Sequence, residues 1–129
     1  MPLVRIDLLE GRSDKELAAI LDAAHRALVA AFGIPLRDRY QIVSEHSKRQ
    51  WIIEDTGLDF VRSDSALVIS LTSRPRMKEA KLKFYELVCK ELKAACSIEA
   101  NDVIVCMVIN SDEDWSFGNG RAQFITGEL

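Results

Sequence analysis

Leu3-Val4-Arg5-Ile6-Asp7-Leu8, running on to Arg12, returns 64 residues later as Leu67-Val68-Ile69-Ser70-Leu71-Thr72, running on to Arg76. The same offset carries Gly33-Ile34 onto Ser97-Ile98 and Asp38 onto Asp102. Each half of the chain, about 1–64 and 65–129, thus repeats one plan within a single domain. A short apolar strand comes first, at about 3–8 and 66–73, and a second strand closes each half near 40–46 and 103–109. Between them lies an amphipathic helix. The first begins at a capping box, Ser13-x-x-Glu16, in which the serine and the glutamate satisfy each other's free backbone donors. Its stripe of Leu17, Ile20, Leu21, Ala24, Leu28 and Ala31 has helical spacing, and Gly33 followed by Pro35 ends it. The second runs from about Lys78 to Ala95 and turns Phe84, Leu87 or Val88, and Leu92 inward.

Strand–helix–strand connections of this length are right-handed crossovers between parallel strands. Two such units meeting at an approximate dyad make one four-stranded sheet whose adjoining strands run antiparallel. The fold class is therefore α/β (α+β), tandem βαβ units with two long helices on one face of the sheet. The other face, to which Ile69, Leu71, Val105 and Met107 are assigned, needs a cover, and a homo-oligomer supplies it. The dyad also sets the start of the first strand, at Pro2, beside the end of the third, Ser73-Arg74-Pro75-Arg76.

The bulk figures narrow the function classes. At 129 residues and 14.5 kDa, with 48% hydrophobic and 29% charged residues, the chain has the composition of a soluble globular protein. A net charge of −3 leaves no basic excess for nucleic acid. No apolar stretch approaches the ~20 residues of a membrane helix, and no secretory signal opens the chain. Cys89, Cys96 and Cys106 lack CxxC spacing, which fits reduced thiols in a cytoplasm rather than zinc or disulfides.

Pro2 is the residue with unusual chemistry to offer. Methionine aminopeptidases remove the initiator before a small residue, and the chain would then begin with a secondary amine. A free α-amino group titrates near ~7.7–8.0, so it can hold or release a proton near neutrality, or attack a carbonyl to form an iminium. With Met1 attached, the same nitrogen is an amide and can do neither. In Arg74-Pro75-Arg76 the ring stiffens the turn, and two planar forks suited to a carboxylate project from it. Asp38, in Pro35-Leu36-Arg37-Asp38-Arg39, is either a turn residue or a group that holds a proton on the proline nitrogen. The tail carries Trp115, Phe117 and Phe124 among Gly118, Gly120 and Gly127, and reads as a loop and short hairpin against another subunit. Gly118-x-Gly120 is no dinucleotide fingerprint, since no helix and no third glycine follow. His25 and His46 read as structural. The acidic runs Glu54-Asp55 and Asp112-Glu113-Asp114 read as turns or solvated faces, with Glu113 open as a minor candidate.

Taken together, the chain resembles the tautomerase superfamily, in which an amino-terminal proline is the catalytic group. Within it, the chain is most similar to the malonate semialdehyde decarboxylases. The segments that carry the resemblance include Pro2-Leu3, Glu10-Gly11-Arg12, Asp38-Arg39-Tyr40-Gln41, Glu54-Asp55-Thr56-Gly57-Leu58, Ser73-Arg74-Pro75-Arg76 and Asp114-Trp115-Ser116-Phe117-Gly118. Phe124-x-Thr126-Gly127 completes them. The resemblance implies a homotrimer, catalytic roles for Pro2, Asp38, Arg74 and Arg76, and an apolar wall of Trp115, Phe117, Phe124 and Leu129. It implies decarboxylation of a short 3-oxo acid without metal or organic cofactor. A tautomerase or hydratase acting on 2-oxo acids would use the same amine and clamp, and a non-catalytic trimeric binding protein is the third reading.

Overall fold

The computed structural model describes residues 1–129. Strand β1 (Leu3–Leu9), helix α1 (Asp14–Phe32) and strand β2 (Tyr40–His46) form the first unit; β3 (Leu67–Ser73), α2 (Lys78–Cys96) and β4 (Val103–Ile109) form the second. The sheet has the order β2-β1-β3-β4, with β1–β2 and β3–β4 parallel and β1–β3 antiparallel at the centre. The repeat and the crossover rule demand this arrangement. Leu3 faces Thr72 and Leu8 faces Leu67, so the start of β1 lies at the end of β3.

The helix boundaries follow local chemistry. Ser13 accepts from the Glu16 amide at 3.1 Å, and the Glu16 carboxylate accepts in return from the Ser13 backbone, closing the capping box. Gly33 ends α1 in the left-handed region, at φ 66°, where a Cβ would be strained. At the matching end of α2, Ser97 takes that conformation in place of glycine.

Both helices cover the same face. Val4, Ile6 and Leu8 of β1 and Leu67, Ile69 and Leu71 of β3 pack with Ile20, Ala24 and Leu28 of α1 and Phe84, Val88 and Leu92 of α2. Val105 and Met107 pack against the edge of this core. The assignment of Ile69, Leu71, Val105 and Met107 to the open face is therefore wrong. Side chains alternate strictly along a strand, and the register sets these four on the side of Leu67, toward the helices. The open face carries their neighbours instead, Val68, Ser70 and Thr72 on β3 and Ile104, Cys106 and Val108 on β4. It still presents apolar surface, with Ile42 42% and Val108 60% exposed.

The tail also departs from expectation. No hairpin forms; Asp112–Asp114 make one 3-10 turn and Gln123–Thr126 one turn of helix, α3. The Gln123 carboxamide accepts from the Phe117 amide and donates to the Gly118 carbonyl, both at 2.9 Å, folding the glycine-rich segment on itself. Phe117 then stacks on Tyr40 of its own chain. No helix is long and apolar enough to cross a membrane.

Candidate active site

The start of β1 brings the amino terminus into a cleft of about 400 Å3 lined by Met1, Asp38, Tyr40, Phe117 and Leu129, with Arg37 and Glu128 at its margin. Pro2 is fully buried beneath Met1. Asp38 sits at the end of a turn in which its amide donates to the Pro35 carbonyl at 3.0 Å. His25 steadies that turn from α1 through a 2.7 Å contact between Nε2 and the Leu36 carbonyl, which is the structural role its position implied. The Asp38 carboxylate is buried, and neither oxygen has a hydrogen-bond partner. It forms an ion pair with the terminal amine of Met1, at 3.8 Å, longer than a hydrogen bond.

A buried carboxylate without a hydrogen bond is costly, and the repeat contains its own control. Asp102, 64 residues on, is buried as deeply, yet its two oxygens accept from the Ser63 amide at 2.7 Å and from the Ser63 hydroxyl. The fold can thus satisfy a carboxylate at this position, and leaves only Asp38 open toward the amino terminus.

Arg74 and Arg76 leave β3 on the far side of that terminus, in a neighbouring cleft of about 550 Å3 shared with Pro75, Ser111, Asp112, Glu113 and Ile125. Arg74 is held on two sides. Its Nε and Nη2 donate to the two carboxylate oxygens of Asp112, each at 2.8 Å, and its guanidinium lies 4.3 Å from the centre of the Phe124 ring. Arg76 donates through Nε to the Ser73 hydroxyl at 3.1 Å and lies over Phe32 at 4.8 Å. Both of its Nη groups are uncommitted. Burial lowers the Arg76 pKa, Arg74 lowers it further, and Asp38 opposes them.

All these charges act on the terminal amine. Burial lowers its pKa most; Asp38 pulls it back up, Arg76 and then Arg74 push it down, and Asp112 raises it. The aromatic wall is split. Phe117 and Leu129 border the amino-terminal cleft, whereas Trp115 stacks behind Phe117 at 5.4 Å and donates to the Asn110 side chain. Phe124 meets Phe117 edge-on at 5.5 Å and lies under Arg74. His46 pairs with Asp7 on the open face, stacked on Trp51.

Asp112, Tyr40 and Gln123 escaped the reading of the sequence as site residues. Only Asp112 had a usable signal. Ser73 pairs with Ile109 across the parallel β3–β4 ladder, so the segments that follow these strands leave the sheet side by side. An acidic residue three beyond Ile109 is then in reach of an arginine one beyond Ser73.

A four-stranded βαβ-repeat sheet with a carboxylate and two arginines about its amino terminus is the arrangement the resemblance implied. Two models of the tautomerase enzyme family match the chain, over residues 2–60 and 38–118. Probable tautomerase YrdN of Bacillus subtilis (strain 168) is 51% identical over 129 residues, all of both chains. The chain belongs to the tautomerase family. Its fold is shared by a malonate semialdehyde decarboxylase solved in wild-type, mutant and inactivated forms as a basis for decarboxylase and hydratase activities; the TM-score is 0.97, with 50% identity and 98% of each chain covered. A second malonate semialdehyde decarboxylase, inhibited by 3-bromopropiolate, gives 0.94 and 41% identity, over 98% of this chain and 97% of that one.

Proposed function

We propose that the protein, once Met1 is removed, decarboxylates a short 3-oxo acid, with malonate semialdehyde, giving acetaldehyde and CO2, as the substrate. The observation that carries this reading is Asp38: a buried carboxylate without a hydrogen bond, facing the amino terminus. A secondary ammonium at Pro2 has two protons to give, one to Asp38 and one to a substrate carbonyl oxygen.

The reaction needs an electron sink at that carbonyl. As the bond between C1 and C2 breaks, its electron pair passes toward the carbonyl carbon, CO2 leaves, and the resulting enolate takes a proton at C2. Pro2 stabilises the developing oxyanion by hydrogen bonding, or forms an iminium that serves the same purpose. The uncommitted Nη groups of Arg76, with Arg74 beside them, orient the carboxylate so that the breaking bond stands perpendicular to the carbonyl plane. Their contribution must be orientation, because the carboxylate loses charge in the transition state and a salt bridge favours the ground state. Phe117 and Leu129 exclude water and favour neutral CO2. No metal or organic cofactor enters the scheme. The exposed apolar residues of the open face, Ile42 and Val108, support a homotrimer. Three free thiols support a cytoplasmic setting.

Glu113 favours a second reading. It shares the arginine cleft, where a carboxylate can activate water for hydration of an unsaturated acid or move a proton in a 2-oxo acid tautomerase. The test is an intact mass of the protein purified from its own cells, with a malonate semialdehyde assay on the same sample. Loss of Met1 together with CO2 release is expected. A processed chain that releases no CO2 but turns over phenylenolpyruvate transfers the assignment to the tautomerase, and retention of Met1 in cells removes Pro2 from the chemistry.

A further inference from the structure

Arg74 and Arg76 are two residues apart, yet they are not equivalent. Arg74 spends the Nε edge of its fork on a bidentate pair with Asp112, and one face on Phe124. Arg76 likewise lays one face on a ring, Phe32, but of its donors it spends only Nε, on a neutral hydroxyl, and keeps both Nη groups for a ligand. A bidentate pair is the strongest geometry open to a guanidinium and a carboxylate, so an incoming carboxylate competes with Asp112 at Arg74 and with nothing at Arg76. We infer that Asp112 is a positioning residue whose bidentate pair withholds Arg74 from the substrate and leaves Arg76 as the fork that takes the carboxylate. The inference rests on the proposed reading that this cleft receives a short carboxylate.

The pair has a second consequence. Arg74 and Arg76 together place two positive charges beside the amine, and Asp112 cancels one. The charged groups acting on the Met1 amine, whose place the Pro2 nitrogen approaches once Met1 is removed, are Asp38 from the turn before β2, Arg74 and Arg76 after β3, and Asp112 after β4. Arg37 and Glu128 border its own cleft, and Glu113 borders the arginine cleft. Releasing Arg74 therefore strengthens carboxylate binding and at the same time makes the amine a weaker base.

The experiment compares the full-length, processed wild type with Asp112→Asn, Asp112→Glu and Arg74→Ala. Malonate, a dicarboxylate that does not carry the reacting aldehyde, serves as the probe in calorimetry, and the Pro2 nitrogen is titrated by NMR. Asp112→Asn is expected to bind malonate roughly 3–10-fold more tightly, the value of about one net hydrogen bond, with the Pro2 titration moved to lower pH. Asp112→Glu, which restores the charge, should return both readouts toward wild type. Unchanged or weaker malonate binding in Asp112→Asn, or an unmoved titration, overturns the inference. Weakening equal to that of Arg74→Ala would make Asp112 only a scaffold for a binding arginine. A wild type that does not bind malonate at all also overturns it. Wild type that binds malonate but releases no CO2 from malonate semialdehyde refutes the decarboxylase reading and leaves the inference standing.

Discussion

Asp38 and Asp102 hold matching places in the two repeats, and their surroundings predict opposite responses to substitution. Asp102 accepts from the Ser63 amide and hydroxyl; Asp102→Ala strands those donors and should cost about 1–3 kcal/mol, read as a lower urea midpoint. Asp38 has no such partners. Asp38→Asn removes a buried charge that accepts no hydrogen bond, so the urea midpoint should hold or rise while kcat/KM falls by roughly 100-fold or more. Loss of stability equal to that of Asp102→Ala would assign Asp38 a structural role. Arg76→Ala separates charge from binding. Arg76 lowers the pKa of the Met1 amine; if the same charge acts on the nitrogen that replaces it after processing, Arg76→Ala should raise the Pro2 titration, and kcat/KM should drop by about 100-fold.

Among the elements, α1 was the most legible. Its capping box, apolar stripe and terminal glycine are local signals, and each acts within a turn or two of chain. Ser13→Ala should cost ~1 kcal/mol, measured by chemical denaturation, with the site's chemistry untouched. The strands were located correctly, but the face each turned inward was not. A β3 sequence of Leu67-Val68-Ile69-Ser70-Leu71-Thr72 carries apolar residues on both sides of the pleat, so alternation alone does not say which side meets the helices. The tail was hardest to read. Its shape depends on Gln123 bridging back to Phe117 and Gly118 and on Phe117 reaching Tyr40, contacts that no periodicity announces.

At the scale of the whole molecule, the pseudo-dyad places the site. It sets the first residue of β1 against the last of β3, and thereby brings the amino terminus and the arginines together across more than half the chain. The open face gives this scale its own prediction. Val108, 60% exposed, lies on that face. In the proposed homotrimer, Val108→Asp should shift sedimentation toward the monomer, because a charge would be buried without a partner at the interface. Unaltered sedimentation would locate the interface elsewhere.

By itself the sequence determined what depends on neighbours along the chain: the repeat, the strands and helices, the caps, and hence the topology that brings Pro2 toward Arg74 and Arg76. It also supplied Asp38, as either a turn residue like its match Asp102 or a group that holds a proton on the proline nitrogen. Only the tertiary structure decided that Asp38 is left without a hydrogen bond while Asp102 is saturated, that Asp112 occupies Arg74 while both Nη groups of Arg76 stay uncommitted, and which sheet face is covered. Those outcomes turn on distances of a few ångströms between groups far apart in sequence. Periodicity and capping act over one or two turns and carry no information about them.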